Sequence, residues 1–116
     1  HSNKADEISG QEGDDKHRGA FAQTCVESCY FPKLKKVGNL AFFLCDIKSL
    51  DEDNFPALQL IGESSFALCP IVSVNLPSLL WIQDECFANC ISLRRFSAKK
   101  LQIIGERCFS YCSLLI

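Results

Sequence analysis

One pattern of apolar and polar positions recurs along this chain. Four twelve-residue blocks line up without gaps: LKKVGNLAFFLC (34–45), LQLIGESSFALC (58–69), LLWIQDECFANC (79–90) and LQIIGERCFSYC (101–112). Leu opens each block, Val or Ile stands fourth, Phe ninth and Cys twelfth, and the fifth residue is Gly except at Gln83. The equivalent phenylalanines Phe42, Phe66, Phe87 and Phe109 lie 24, 21 and 22 residues apart. Phe21, preceded by Ala as Phe42 is, marks an earlier, degenerate unit with Thr24 or Cys25 in the cysteine slot. The first three blocks follow Phe31-Pro32, Phe55-Pro56 and Leu76-Pro77, whereas the fourth follows Ala98-Lys99. A fixed period of this length predicts a solenoid, in which each unit buries its apolar face against its neighbours.

The pattern inside one period predicts its elements. In IVSVNLP (71–77), Val72, Val74 and Leu76 alternate with Ser73 and Asn75, which is strand periodicity. Pro77 then ends the strand, having no N–H to donate. Phe66 and Cys69 are spaced for one face of a single helical turn. Glu63, Asp84 and Glu106 fall where that turn would begin and where a carboxylate suits exposed backbone N–H groups. The fifth-position Gly is expected to allow a sharp turn between strand and helix. Each coil is thus expected to run strand, corner, helical turn and return.

The motif L-x-x-I-G-x-x-x-F-x-x-C is carried by Leu34, Leu58, Leu79 and Leu101 with the apolar-Gly pairs, the phenylalanines and the cysteines. Over residues 19–116 it resembles the leucine-rich repeats of the BspA type. The resemblance implies an α/β leucine-rich-repeat solenoid: a right-handed β-α superhelix of about four to five coils with a parallel sheet on its concave face. It also implies protein-binding work, such as surface adhesion or host-protein binding, in a cell-surface or secreted protein. The asparagine ladder of ordinary leucine-rich repeats is not evident, and the cysteine column fills a comparable corner. The sequence departs from the pattern in the longer 45–58 segment, at Gln83 and at Lys99.

Charge divides the chain. Of 14 acids and 12 bases, residues 1–18 hold five and three, with Ile8 as their one aliphatic side chain larger than Ala, so that segment is expected to be a disordered tail or linker. The remaining nine acids and nine bases balance, which argues against nucleic acid as the partner. No run approaches the ~18 apolar residues of a membrane span. The histidines, His1 and His17, both precede the repeats, so no Cys-His or Ser-His pair is held by the coils and no enzyme is expected. No Gly-rich phosphate loop occurs, and no N-x-[ST] glycosylation sequon. Asp51, Glu52 and Asp53 read as a solvated turn rather than a calcium site.

The cysteines admit three readings. Cys86, Cys90, Cys108 and Cys112 form C-x3-C…C-x3-C, the candidate metal-ligating set for a structural zinc. Yet Cys45, Cys69, Cys90 and Cys112 are one repeat column, and Cys86 and Cys108 share the small-residue slot of Ala20, Ala41 and Ser65, so buried structural thiols are the leading reading. Disulfides between stacked column members are the remaining alternative. No cofactor is implied.

Function is expected on the face that stacked strands present to solvent. The outward positions are Ser73 and Asn75 in one coil and Arg95 and Ser97 in the next, beside an inward Phe96. In the longer coil Ser49 and Asp51 are the candidates. Trp81, third in its block where other coils carry Lys36, Leu60 and Ile103, is a candidate contact aromatic. Arg94, Arg95, Lys99 and Lys100 are the one local concentration of charge. The leading expectation is a non-enzymatic protein–protein interaction module. An intracellular scaffold or assembly subunit, cytoplasmic with reduced thiols, is the first alternative, and a zinc-stabilised or redox-active cysteine domain the second. The sequence stops at Leu114-Leu115-Ile116, where a further strand is due, so a longer array, or self-association through an uncapped end, is also expected.

Overall fold

A computed structural model describes the backbone of Glu7–Ile8 and residues 29–115. Every strand is short, as the period demands: β1 (Glu7–Ile8), β2 (Lys36–Val37), β3 (Ser49–Leu50), β4 (Leu60–Ile61), β5 (Ser73–Asn75), β6 (Trp81–Ile82), β7 (Arg95–Ser97) and β8 (Ile103–Ile104). They form two parallel sheets, a five-stranded one ordered β1-β2-β4-β6-β8 and a three-stranded one ordered β3-β5-β7. Each full coil contributes one strand to each sheet. The register is that of the repeat: Val37 pairs with Ile61, Ile61 with Ile82 and Ile82 with Ile104. Within the segment read as a tail, Glu7–Ile8 pairs in parallel with Lys36–Val37. The remaining expectations for that segment and for Phe21, Thr24 and Cys25 lie outside the described residues.

The core is the set of columns that the repeat predicts. Leu34, Leu58 and Leu79 are buried, as are Val37, Ile61 and Ile82, and the phenylalanines stack through the middle. Ring centroids lie 5.0 Å apart for Phe42–Phe66, 5.8 Å for Phe66–Phe87 and 5.9 Å for Phe87–Phe109, all nearly parallel. Phe55 meets both Phe42 and Phe66 edge-on, and Phe96 does the same to Phe87 and Phe109. Each buried ring contributes about 1.5–3 kcal/mol by leaving water, and each favourable ring pair about 0.5–1.5 kcal/mol more. The columns open at β8, where Ile104 is 55% exposed although Ile82, one coil earlier, is fully buried.

The expected helical turn is not there: no helix forms among the described residues. In its place the chain makes successive tight turns, with Ser65 N donating to Gly62 O, Ala67 N to Ser64 O and Cys69 N to Phe66 O. What stops these turns from becoming a helix is a left-handed residue at the seventh and eleventh positions of every block. Leu40, Ser64, Glu85 and Arg107 have φ of 54–62°, and so do Leu44, Leu68, Asn89 and Tyr111. These left-handed residues aim alternate N–H groups along the solenoid axis. Ser64, Phe66 and Leu68 each donate to the next coil, at Asp84 O, Cys86 O and Ala88 O, in bonds of 3.0–3.1 Å. A helix would spend those donors within its own turn; this backbone spends them on the neighbouring coil.

The left-handed positions give a direct test. A side chain there costs about 1–2 kcal/mol, partly offset in Gly by the freedom its unfolded chain gains. Ser64→Gly is therefore expected to raise stability by up to about 1 kcal/mol, whereas the β-branched Ser64→Val lowers it by about 1–2 kcal/mol. Urea midpoints of the two variants measure both effects.

The fifth-position glycines have a different task from the one the sequence implied. Neither Gly62 nor Gly105 requires a positive φ; what each requires is the absence of a Cβ. A Cβ on Gly62 would sit 2.6 Å from Asn39 Oδ1 and 2.8 Å from Asn39 N. On Gly105 it would sit 2.6 Å from both Oδ1 and N of Asp84. Those oxygens are occupied in capping: Asn39 Oδ1 accepts the N–H of Glu63 at 2.8 Å, and Asp84 Oδ1 accepts that of Glu106 at 2.9 Å. Asp84 thus caps the next coil, not a helix of its own. The exception at Gln83 follows, because the corner before it carries Glu63, whose carboxylate makes no such bond among the described residues. A short Asn or Asp at position six goes with Gly at position five of the next coil.

Candidate interaction surface

The three-stranded sheet carries most of the candidate contact residues. Ser49, Ser73 and Arg95 are in register across β3, β5 and β7, and Asn75 pairs with Ser97. Between them Leu50 and Val74 point inward and are buried, with Phe96 half-buried, so the strand alternation holds from Ser73 to Leu76. It fails at Val72, which is exposed; Ile71 is the inward residue instead. The strand begins only at Ser73, and Val72 sits in the bend before it, its carbonyl accepting from both Arg94 N and Arg95 N.

Asp51 is occupied elsewhere. Its Oδ1 accepts the N–H groups of Asp53 and Asn54, its own N–H donates to Asn54 Oδ1, and Asn54 Nδ2 reaches back to Ser49 O. This closed set of bonds accommodates the extra residues of the longer coil, so Asp51 shapes the loop from a half-buried position. A cluster of four cations lies at the other edge of this face. Arg94, Arg95, Lys99 and Lys100 are all exposed. None of them is in an ion pair among the described residues; the pairs there join Arg107 to Glu85 and Glu106.

Trp81 is on the other sheet. It is 42% exposed and in register with Leu60 on one side and Ile103, 48% exposed, on the other. The sequence-derived contact residues therefore occupy two separate faces: a polar, cationic one on β3-β5-β7 and an apolar stripe on β4-β6-β8. Their separation was not legible, because nothing in a single repeat says that its two strand segments enter different sheets.

The cysteines do more than fill space. Cys69, Cys90 and Cys112 each direct Sγ, at 3.1 Å, to the carbonyl of the phenylalanine one coil earlier, Phe42, Phe66 and Phe87 respectively. At the small-residue slot, Ser65 Oγ donates to Gly38 O and Gly62 O at 2.6 and 2.8 Å. Cys86 and Cys108 stand in that slot in the next two coils and donate to Gln83 O at 2.9 and 3.0 Å. The slot was legible as small; that it also carries a donor was not, although Ser65 among the cysteines was the available signal. Cys86, Cys90, Cys108 and Cys112 are split between these two columns. Among the described residues no group of three or more Cys, His, Asp or Glu is arranged to hold a metal.

Burial pushes the Cys69 and Cys86 thiols far up and Cys90 to about 12, so all three stay protonated at neutral pH and are poor nucleophiles. Cys108 runs the other way: a hydrogen bond from Cys86 pulls it down to about 7. Raised thiols make the fold alkali-sensitive. The unfolded chain loses these protons near the ordinary value of 9.0 while the folded chain retains them. Their contribution is therefore intact below that pH and is lost as pH rises through it, by up to about 1.4 kcal/mol per pH unit for each thiol. Urea midpoints at about pH 7 and about pH 10 should differ accordingly, and Cys69→Ser should reduce the difference.

Comparison with known proteins agrees with this geometry. The model of the BspA type leucine-rich repeat region, with six copies, matches residues 17–116. No curated protein matches the chain. Among solved structures the fold is similar to that of a leucine-rich repeat protein from Bacteroides ovatus ATCC 8483, with a TM-score of 0.51 and 21% identity. The similarity covers 72% of this chain but 28% of that one, so the chain spans little more than a quarter of its neighbour's length. No helix among the described residues is long and apolar enough to cross a membrane. With the repeat motif, the stacked parallel coils and the family match over nearly all its length, the chain belongs to the BspA-type leucine-rich repeat family.

Proposed function

We propose that this chain is a non-enzymatic protein–protein interaction module that binds through the face of β3-β5-β7. The observation that carries the reading is the set of exposed cations Arg94, Arg95, Lys99 and Lys100. They engage no acid among the described residues, and Arg95 itself stands in register with Ser73 beside the Asn75–Ser97 pair. A stripe of side chains on stacked strands is rigid in spacing, so a partner meets it without first ordering it. The family supports protein binding as the role, and the charge supports an acidic protein segment as its target. Adhesion at a surface and assembly within a larger intracellular complex would use the same face; finding which compartment the natural protein occupies separates them.

Affinity capture with the native chain and with an Arg94→Glu/Arg95→Glu variant tests the reading. Loss of the captured proteins on charge reversal, with recovery at low salt of only weak binding, is the expected result. Equal capture by both chains, or loss instead with Trp81→Ala alone, would move the contact off this face.

A further inference from the structure

We propose that Cys86 and Cys108 form a redox site, in which a hydroperoxide oxidises Cys108 and Cys86 resolves it into a disulfide joining two neighbouring coils. The two sulfurs converge on one atom: Cys86 Sγ and Cys108 Sγ both lie on the Gln83 carbonyl oxygen, at 2.9 and 3.0 Å. They occupy the same position of consecutive coils. The backbone is in register on both sides of them, with Glu85 N donating to Glu106 O at 2.9 Å and Phe87 N to Cys108 O at 3.0 Å. Parallel-ladder neighbours stand about 4.8 Å apart, inside the ~4.4–6.8 Å range of Cα separations that a disulfide spans. The Cys69–Cys90–Cys112 column is stacked as regularly but lacks the shared atom, because each thiol there is directed to a different carbonyl.

The pair is also asymmetric, as an attacking and a resolving cysteine must be. Cys86 is fully buried, and its Sγ has the carbonyl oxygens of Ile61, Gly62 and Gln83 within 2.9–3.3 Å as alternative acceptors for its single S–H. Cys108 is itself only 2% exposed, but it belongs to the coil that β8 begins, whose Ile103 and Ile104 are half-exposed, so local opening of that coil uncovers it first. The Cys86 thiol stabilises a thiolate on Cys108, which supplies the nucleophile near neutral pH.

The steps balance. The Cys108 thiolate attacks the terminal peroxide oxygen, the O–O bond breaks, and Cys108 becomes a sulfenic acid as the alkoxide, or hydroxide in the case of hydrogen peroxide, leaves. In the opened coil, where burial no longer holds the proton on Cys86, that thiol gives its proton to the sulfenic hydroxyl and attacks Cys108 Sγ, and the hydroxyl leaves as water. Two electrons pass from the thiols to the peroxide, and two S–H groups become one S–S bond.

The test is titration of the reduced chain with hydrogen peroxide, followed by denaturing alkylation, mass measurement and tandem sequencing of the cross-linked peptide. Serine variants are suitable because Ser65 already fills the same slot with the same kind of bond. The wild-type chain should lose two alkylatable thiols, with the cross-link between residues 86 and 108. Cys86→Ser should leave a sulfenic acid on Cys108, trapped by dimedone, and Cys108→Ser should show neither product. Cys90→Ser and Cys112→Ser should behave as the wild type. Three results would each overturn the site: full thiol retention at peroxide levels that oxidise free cysteine, a cross-link that persists in Cys108→Ser, or one that joins Cys90 to Cys112. If a serine variant fails to fold, the position of the wild-type cross-link decides alone.

Discussion

Phe66→Ala is expected to lower the melting temperature more than any other single core substitution. Phe66 is fully buried, lies between Phe42 and Phe87 in the ring stack, and receives the edge of Phe55. Its removal takes out a transfer contribution and leaves a ring-sized cavity that the neighbouring coils can close only by giving up their register, a loss of about 3–5 kcal/mol. Native domains are stable by roughly 5–15 kcal/mol, so such a loss removes a large share of the total. Phe66→Leu keeps part of the volume and should cost clearly less. Circular dichroism melting of the two variants separates these outcomes. A Phe66→Ala chain that melts like the wild type would mean that the stack is not the core.

Gly105→Ala should destabilise the chain by about 2–3 kcal/mol, and Gly62→Ala by a similar amount, although each adds one methyl group. The added Cβ meets backbone nitrogen and a capping oxygen at 2.6–2.8 Å, and neither is the free end of a flexible side chain. Relief requires either the coils to part or the cap to break, and breaking the cap leaves the Glu63 or Glu106 N–H without its acceptor. The same account makes Gln83→Ala nearly neutral. Asp84→Ala removes one obstructing atom but leaves the backbone nitrogen of that residue 2.6 Å and the Gln83 carbonyl carbon 2.7 Å from the new Cβ, so Gly105→Ala should keep most of its cost in that background and only the cap's share should be non-additive. Urea denaturation of the four chains of that cycle gives the coupling directly.

The sequence revealed the columns because a solenoid writes each core position several times. Leu, the apolar fourth residue, Phe and Cys recur at fixed places, and all of these columns proved to be buried except where they open at β8. Spacing alone could not reveal the backbone between them. Phe66 and Cys69 are three apart both in a helical turn and in a tight turn closed by Cys69 N on Phe66 O, and only the left-handed residues decide which forms. Those positions hold Leu, Ser, Glu, Arg, Asn and Tyr, with a single Asn and no Gly to mark them. The corner cap was partly legible: Asn39 before Gly62, Glu63 before Gln83 and Asp84 before Gly105 are a covariation between coils. It shows only when each coil is compared with the one before it rather than aligned to a common motif.

The proposed contact face was legible as a set of outward positions but not as a surface. Ser73, Asn75, Arg95 and Ser97 follow from alternation, yet that alternation could not show Asp51 tied into its loop or Val72 outside the strand. Nor could it place Trp81 on the opposite sheet.

Binding through the β3-β5-β7 face is tested most directly by site-specific photo-crosslinking in the natural source. A benzophenone side chain is introduced at Ser73 in one chain, at Trp81 in a second and at Glu63, on the corner, in a third. The account predicts a discrete cross-linked protein partner from Ser73, none from Glu63, and loss of the Ser73 product when Arg94 and Arg95 are reversed to Glu. A partner captured from Trp81 or Glu63 but not from Ser73 would contradict it.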